Sequence, residues 1–214
     1  MVVMPAVGRF LLEGIFKMTN LTKKQKNRRL AESALMLALA TILSELAVFS
    51  LPFGGSVTLF SQVPVILISY RYGVKWGLVT GLALSVIQLI FGIQNFSYVS
   101  GISAFLILAF CDYIIAFSAL GLGGMFKNKI KNDVLSISLG GVLVTVIRFI
   151  CHFISGATIW KDYAEGAPVL EYSLKYNASY MLPELIITVV GLVVVSSVFN
   201  LNSIDLKTKI NKKS

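Results

Sequence analysis

Residues 134–160, "VLSISLGGVLVTVIRFICHFISGATIW", form an apolar run that carries Arg148, Trp160 and the chain's single histidine, His152. About 20 apolar residues suffice to span a bilayer as a helix, and this run is longer. Charge at membrane depth costs about 2.5–3.5 kcal/mol per residue, so such residues need a partner or a task. Arg148, His152 and Trp160 recur at intervals of four and eight, which puts them on one helical face. That face addresses lipid, a protein core or a ligand.

The composition narrows the choice. The chain has 214 residues, 56% of them hydrophobic and only 14% charged, with a mean hydropathy of +0.81. Soluble domains carry about a quarter charged residues. Six apolar segments, at about 30–49, 57–70, 76–92, 100–121, 134–155 and 179–199, predict an all-α membrane protein. It is expected to be a bundle of six transmembrane helices with N- and C-termini cytoplasmic. Three regions follow: a basic cytoplasmic segment 1–29, the bundle 30–200 and a basic cytoplasmic tail 201–214. The second segment is short and contains Pro64.

The net charge of +9 could suggest nucleic acid, but its placement argues for a membrane. With the N-terminus inside, the inner segments hold Arg9, Lys17, Lys23, Lys24, Lys26, Arg28, Arg29, Arg71 and Lys75. They also hold Lys127, Lys129, Lys131, Lys207, Lys209, Lys212 and Lys213, making 16 of the 19 basic residues. Lys161 and Lys175 fall outside, and Arg148 lies within a span. This is the positive-inside pattern, with basic residues near anionic lipid and no nucleic-acid partner implied.

The early stretch "GRFLLEGIF" is too short to cross and lacks a small-residue cleavage site. It is either an interfacial helix or upstream of a true start at Met18. Cys111 and Cys151 fall inside spans and read as small buried hydrophobes, with no metal site or disulfide framework. Residues 160–177, "WKDYAEGAPVLEYSLKYN", read as a long outer loop, and lids are one use of such loops.

The polar residues at membrane depth are Glu45, Asp112, Arg148, His152 and Glu184, with Gln62 and Gln88. Asp112 is the deepest, about 18 Å along its helix from Ser100 at 1.5 Å per residue. Arg148 and Asp112 could form a structural ion pair, and Glu45 and Glu184 could cap helix ends. For His152, the neighbours Gly156 and Trp160 favour a ligand face. Glycine leaves a gap beside the backbone, and tryptophan offers a wall that also attracts cations. The expected pocket opens outward, with an acid at its floor and Trp160 and Tyr172 above. It suits a small, flat, cationic solute.

"CHFISGATIW", "EYSLKYNASYM", "DYIIAFSALGLGG" and the first-helix "LAESALMLALATILSEL" together resemble the ThiT family. These are thiamine-specific substrate-binding subunits of energy-coupling-factor (ECF) vitamin transporters, and the similarity spans about residues 29–200. The resemblance implies a bacterial cell-membrane protein that binds thiamine outside. It would dock on a transmembrane scaffold subunit carrying two ATPases. The family's site residues fall on Asp112, Tyr113, His152, Gly156, Trp160, Tyr172 and Asn177, and its scaffold-docking small residues on Ala34 and Ala38. Small residues four apart also allow close helix contact in lipid. The acid is glutamate in a family member and Asp112 here, one methylene shorter. The family's first-loop aromatic corresponds to Phe53 or Phe60.

On this reading Trp160 stacks on the aminopyrimidine, Asn177 and Tyr172 bond its edge, Asp112 meets the thiazolium and neutral His152 packs between the rings. The chain has no GxxxxGK[ST] phosphate loop, so it needs no cofactor of its own and ATP belongs to partner subunits. Two alternative readings stay open, one from another class and one from the same class. A proton-coupled transporter could use Asp112, His152 and Glu184 as a relay, and an ECF subunit could serve another vitamin. An enzyme is disfavoured, because Ser155 and Cys151 are expected to point away from His152 and one histidine builds no usual metal site.

Overall fold

The structure is a computed structural model that describes residues 21–164, 166–203 and 208–209. The early segment with Arg9 and Lys17, and Lys207, Lys212 and Lys213 of the tail, lie outside the described residues. Helix α1 runs Lys23–Glu45. It starts at a capping box: Gln25 N–H donates to Thr22 Oγ1, and Thr22 N–H donates to Gln25 Oε1. Strands β1 (Ala47–Ser50) and β2 (Ser56–Thr58) pair antiparallel. Helix α2 (Val63–Tyr72) meets α3 (Val74–Phe91) across Gly73, whose φ of 91° favours glycine. Helix α4 spans Ile102–Leu122, α5 Asp133–Thr158 and α6 Val169–Val198.

Helices α3 to α6 are long and apolar enough to cross a membrane. Only 28–44% of their most apolar stretches is buried, so most of that apolar surface faces outward. Val79, Ile90, Ile102, Leu182, Ile186 and Val194 are among the exposed side chains. A lipid-facing exterior accounts for this, since such area in water would mark an association site. The interior is different: Val65, Ile66, Tyr70, Leu120, Ile137, Val144 and Leu192 form a core with no accessible surface.

Glycines set the close approaches. A Cβ on Gly140 would strike the Gly123 carbonyl, and one on Gly141 would meet Leu192 of α6 at 2.5 Å. At one end of the molecule, Glu32 of α1 accepts from Arg28 (2.9 Å), Arg71 (3.1 Å) and the Tyr72 hydroxyl (2.6 Å). Beside it, Arg29 lies 3.8 Å over the Trp76 ring, and Trp76 donates to Ser33. The β1–β2 hairpin, residues 93–98 and the turn 161–164 cluster at the other end.

Three sequence expectations are corrected. The first apolar segment is helical only to Glu45 and not to residue 49, because 47–58 is a hairpin. Pro52 and the Gly54–Gly55 pair break the helix there, with Phe53 (φ 65°) and Gly54 (φ 95°) in the turn. The second segment is helical only from Val63. The sixth helix begins at Val169, so the expected outer loop is helical through Asn177; Pro168 sets its start, and Glu171 pairs with Lys175 one turn on.

Gly140→Val should lower stability in detergent by about 1–3 kcal/mol through overpacking against Gly123, read as the thermal midpoint. Leu139→Ala, on the exposed side of the same helix, should leave it nearly unchanged.

Candidate functional site

The hairpin end holds a cavity of about 690 Å³. Asp112, Tyr113, His152, Gly156, Trp160, Tyr172 and Asn177 all line it. Ala34 and Ala38 do not; they are exposed on α1.

The cavity's acid is placed by a backbone irregularity. Residues Leu108–Ile115 of α4 form a π-helical turn. Its wider i→i+5 bonding lets Leu108, Asp112 and Tyr113 share one face, and such turns are frequent at functional sites. Asp112 Oδ1 is 2.9 Å from His152 Nδ1. Its Oδ2 accepts from Ser155 Oγ at 2.6 Å and from Trp160 Nε1 at 3.3 Å. One carboxylate therefore gathers three residues from α5 and its C-terminal turn. With Asp112 ionised, His152 Nδ1 carries the proton, and the second ring nitrogen remains for a ligand. The side chains of His152 and Asp112 keep 12% and 15% exposure, enough to be reached from the cavity.

This geometry overturns two expectations. Arg148 does not pair with Asp112, because the π turn aims the carboxylate at the histidine one turn away from Arg148. Ser155 does not point away from the site. It lies three residues after His152 on the same side and donates to Asp112. Ser155 and His152 both bind the carboxylate and not each other, so they do not form a nucleophile–base pair.

Gly156 also serves a purpose that was not expected. A Cβ there would strike Ser173 Oγ and come within 3.1 Å of Asn177 Nδ2. The glycine admits α6 where it lines the cavity. Ser173 then donates to the Phe153 carbonyl at 2.8 Å. Asn177 donates to the Ser173 carbonyl at 2.9 Å and the His152 carbonyl at 3.3 Å, and accepts from Tyr180 at 2.8 Å. The Asn177 amide thus locks α6 to the carbonyl of the site histidine, and its oxygen keeps one acceptor position. Tyr113 turns its ring to the cavity, while its hydroxyl donates to Gly92 O (3.1 Å) and accepts from Asn95 (2.8 Å).

Aromatic side chains close the outer end. Phe53, at the hairpin tip, has its ring centroid 5.5 Å from Trp160, 4.3 Å from Tyr163 and 5.5 Å from Tyr98. Of the two first-loop candidates, Phe53 lines the cavity, whereas Phe60 packs where a Cβ on Gly191 would be. Tyr176 fastens the hairpin: its hydroxyl donates to the Pro52 carbonyl and accepts from Gly55 N–H at 3.2 Å. Tyr98, Tyr163 and Tyr176 escaped the sequence reading, and of these only Tyr176 had a signal, its helical spacing from Tyr172.

Glu184 is no interfacial cap. It is 3% exposed and receives Thr58 N–H and Thr58 Oγ1 at 2.7 Å each, and Gln62 Nε2 at 3.2 Å. The cavity wall thus presents the carboxylates of Asp112, Glu45 and Glu184 against one guanidinium, Arg148. Three negative and one positive give a formal balance of −2 with His152 neutral. Cations gain from such a field, most strongly where water is excluded.

The chain matches the thiamine transporter protein family over residues 30–202. It is 38% identical over 176 residues to the thiamine transporter ThiT of Bacillus subtilis, covering 77% of this chain and 88% of that protein. This chain belongs to the thiamine transporter protein family. A second family relative, ThiT of Lacticaseibacillus paracasei, is 25% identical over 61% of this chain and 68% of its own. Two solved structures share the fold. One is ThiT from Listeria monocytogenes, with a TM-score of 0.65, 21% identity, and coverage of 78% of this chain and 92% of that one. The other is described as the S component of a bacterial ECF transporter, with a TM-score of 0.55, 18% identity, and coverage of 80% and 95%. In this family member, the cavity-lining residues come from every helix except α2, together with the hairpin and residues 92–98.

Tyr176→Phe should remove both hairpin bonds yet keep the ring. At about 0.5–1.5 kcal/mol per bond, amide exchange across 50–58 should speed roughly tenfold in mass-spectrometric hydrogen exchange, with little change in the α5 amides. Unchanged protection would show that the hairpin is held elsewhere.

Proposed function

We propose that this chain is the substrate-binding subunit of an ECF-type transporter and that its cavity captures thiamine from outside the cell. Family membership and the likeness to an ECF S component support the class. The observation that carries the substrate is the joining of Asp112, His152 and Trp160 in one aromatic-walled cavity with an excess of carboxylates. Thiamine is a flat aminopyrimidine joined to a permanently cationic thiazolium. Trp160, with Phe53 above it, would stack on the rings. Asp112 would face the cation, and the ring nitrogen of His152 turned away from Asp112 would meet the ligand. Tyr172 would bond the pyrimidine edge, and Asn177 would act through its remaining acceptor position and through the helix contact it maintains.

Six crossings with both termini cytoplasmic fit the charge pattern. The Glu32–Arg71 end then faces the cytoplasm, and Lys161 and Lys175 face outside with the cavity. The location is a bacterial cell membrane. Movement of the ligand would be driven by two ATPase subunits through a transmembrane scaffold subunit. The exposed Ala34 and Ala38, flanked by exposed Leu35 and Leu39, would be the docking face on α1, where small residues let a partner helix come close.

Thiamine should quench or shift the tryptophan fluorescence of the purified protein. Trp160→Ala and Asp112→Asn should each weaken binding by about 2–4 kcal/mol, roughly 30- to 1,000-fold. Unchanged affinity in both variants would remove the site assignment.

Ala34→Glu or Ala38→Glu should abolish co-purification with the scaffold subunit while leaving thiamine affinity intact, because both lie outside the cavity. Retained assembly in both variants would exclude this face.

A further inference from the structure

Arg29 lies near the start of α1, at the end of the bundle opposite the cavity, and ligand capture gives it no role. It is 9% exposed. Among the described residues no carboxylate pairs with it, and its enclosed Nε has no hydrogen-bond partner. Its neighbours are met: Arg28 and Arg71 share Glu32, and Lys127 donates to the Arg71 carbonyl. Arg29 has the Trp76 ring instead, with its Cζ 3.8 Å from the ring centroid. So short a distance requires the flat guanidinium to lie face-on, and the cation–π contact uses only that face. The in-plane donors are left over. Nε is walled in, whereas Nη1 and Nη2 are not among the enclosed atoms, so the outer edge of the fork can meet a partner. That edge matches two oxygens of a phosphate.

The surroundings say which phosphate. Trp76 is held in place by its bond to Ser33 at 2.9 Å, one helical turn past Arg29. Lys26, three positions before Arg29 on α1, is exposed, and Lys75 adjoins Trp76. The carboxylate nearest in sequence, Glu32, is already held by Arg28, Arg71 and Tyr72. The local field is therefore positive. Further along α3, Val79 and Val86 are 55% and 47% exposed, as part of the apolar exterior. Tryptophan is enriched where a bilayer meets water, and basic pockets between helices at that depth suit anionic headgroups. A soluble anion would use the fork alone, whereas a lipid uses the fork and the aliphatic face beyond it.

We propose that Arg29, stacked on Trp76 and flanked by Lys26, binds the phosphate headgroup of an anionic phospholipid whose acyl chains lie along the exposed face of α3. The phosphate oxygens accept from Nη1 and Nη2 of Arg29, and Lys26 adds attraction at longer range. With the orientation proposed above, this lipid belongs to the cytoplasmic leaflet. The site is independent of the thiamine reading.

Native mass spectrometry of the detergent-purified full chain tests this. Phosphatidylglycerol and phosphatidylcholine are added in turn to wild type, Arg29→Gln, Arg29→Lys and Lys129→Gln. The last removes the same charge from an exposed position in the turn after α4. Wild type should hold its first phosphatidylglycerol at least ~5-fold more tightly than phosphatidylcholine, the factor that one basic group near a membrane surface supplies. Arg29→Gln should weaken phosphatidylglycerol roughly tenfold, as loss of a charge-assisted bond pair predicts, and leave phosphatidylcholine unchanged. Arg29→Lys keeps the charge but loses the fork, so it should fall between. Lys129→Gln should stay within about twofold of wild type. A single sharp peak in size-exclusion chromatography certifies the fold of each variant, and the lysine variant alone suffices if the glutamine variant does not fold. Equal losses in Arg29→Gln and Lys129→Gln would mark general charge attraction and overturn the proposal, as would wild type without headgroup preference. Displacement of phosphatidylglycerol by millimolar inorganic phosphate would assign the fork to a soluble anion and overturn it too.

Discussion

A single carboxylate within the bundle organises the rest of the site. Asp112 would be costly at membrane depth without compensation. It is compensated by three donors: the His152 imidazole, the Ser155 hydroxyl and the Trp160 indole. These donors come from one stretch of α5 and its end, so holding the charge also fixes the α4–α5 contact and the orientation of the aromatic wall. The π turn at Leu108–Ile115 is what lets the acid reach all three. Electrostatic stabilisation and site geometry are the same interaction here.

Around that core, each element is held by a distinct device. Gly156 brings α6 close enough for Asn177 to bond the His152 carbonyl. Tyr176 clasps the hairpin, and the hairpin carries Phe53 over Trp160. Glu184 ties the strand end at Thr58 and the α2 start at Gln62 to the middle of α6. At the far end, Glu32 binds α1 to the α2 terminus through Arg71 and Tyr72. Between these groups lies an apolar core around Val65, Ile66, Leu120, Ile137 and Val144.

Much of this was legible from residue order. Apolar run length announces membrane helices because the bilayer sets their span, and the spacing of 148 and 152 is that of a helix that runs to Thr158, with Trp160 in the turn just after it. Asp112, His152 and Trp160 stood out because polar groups are rare in such runs. What escaped depends on contacts distant in sequence. Nothing local indicates that Glu184 meets Thr58, 126 positions away. The hairpin was hidden because 47–58 is as apolar as a helix, and its Pro-Phe-Gly-Gly turn is a weak signal. The π turn changes which residues share a face, and so it redirected Asp112 from Arg148 to His152. Gly156 was read only as open space because a sequence does not show which neighbour fills a missing side chain.

The central claim is that a flat cation lies between the Asp112 carboxylate and the Trp160 indole. An experimental structure of the thiamine-loaded protein addresses it directly. The account predicts the thiazolium within about 4–6 Å of the carboxylate and a ligand ring within about 6 Å of the indole centroid. Density for thiamine elsewhere, or a cavity that collapses with Asp112 still bound only to His152, Ser155 and Trp160, would contradict it.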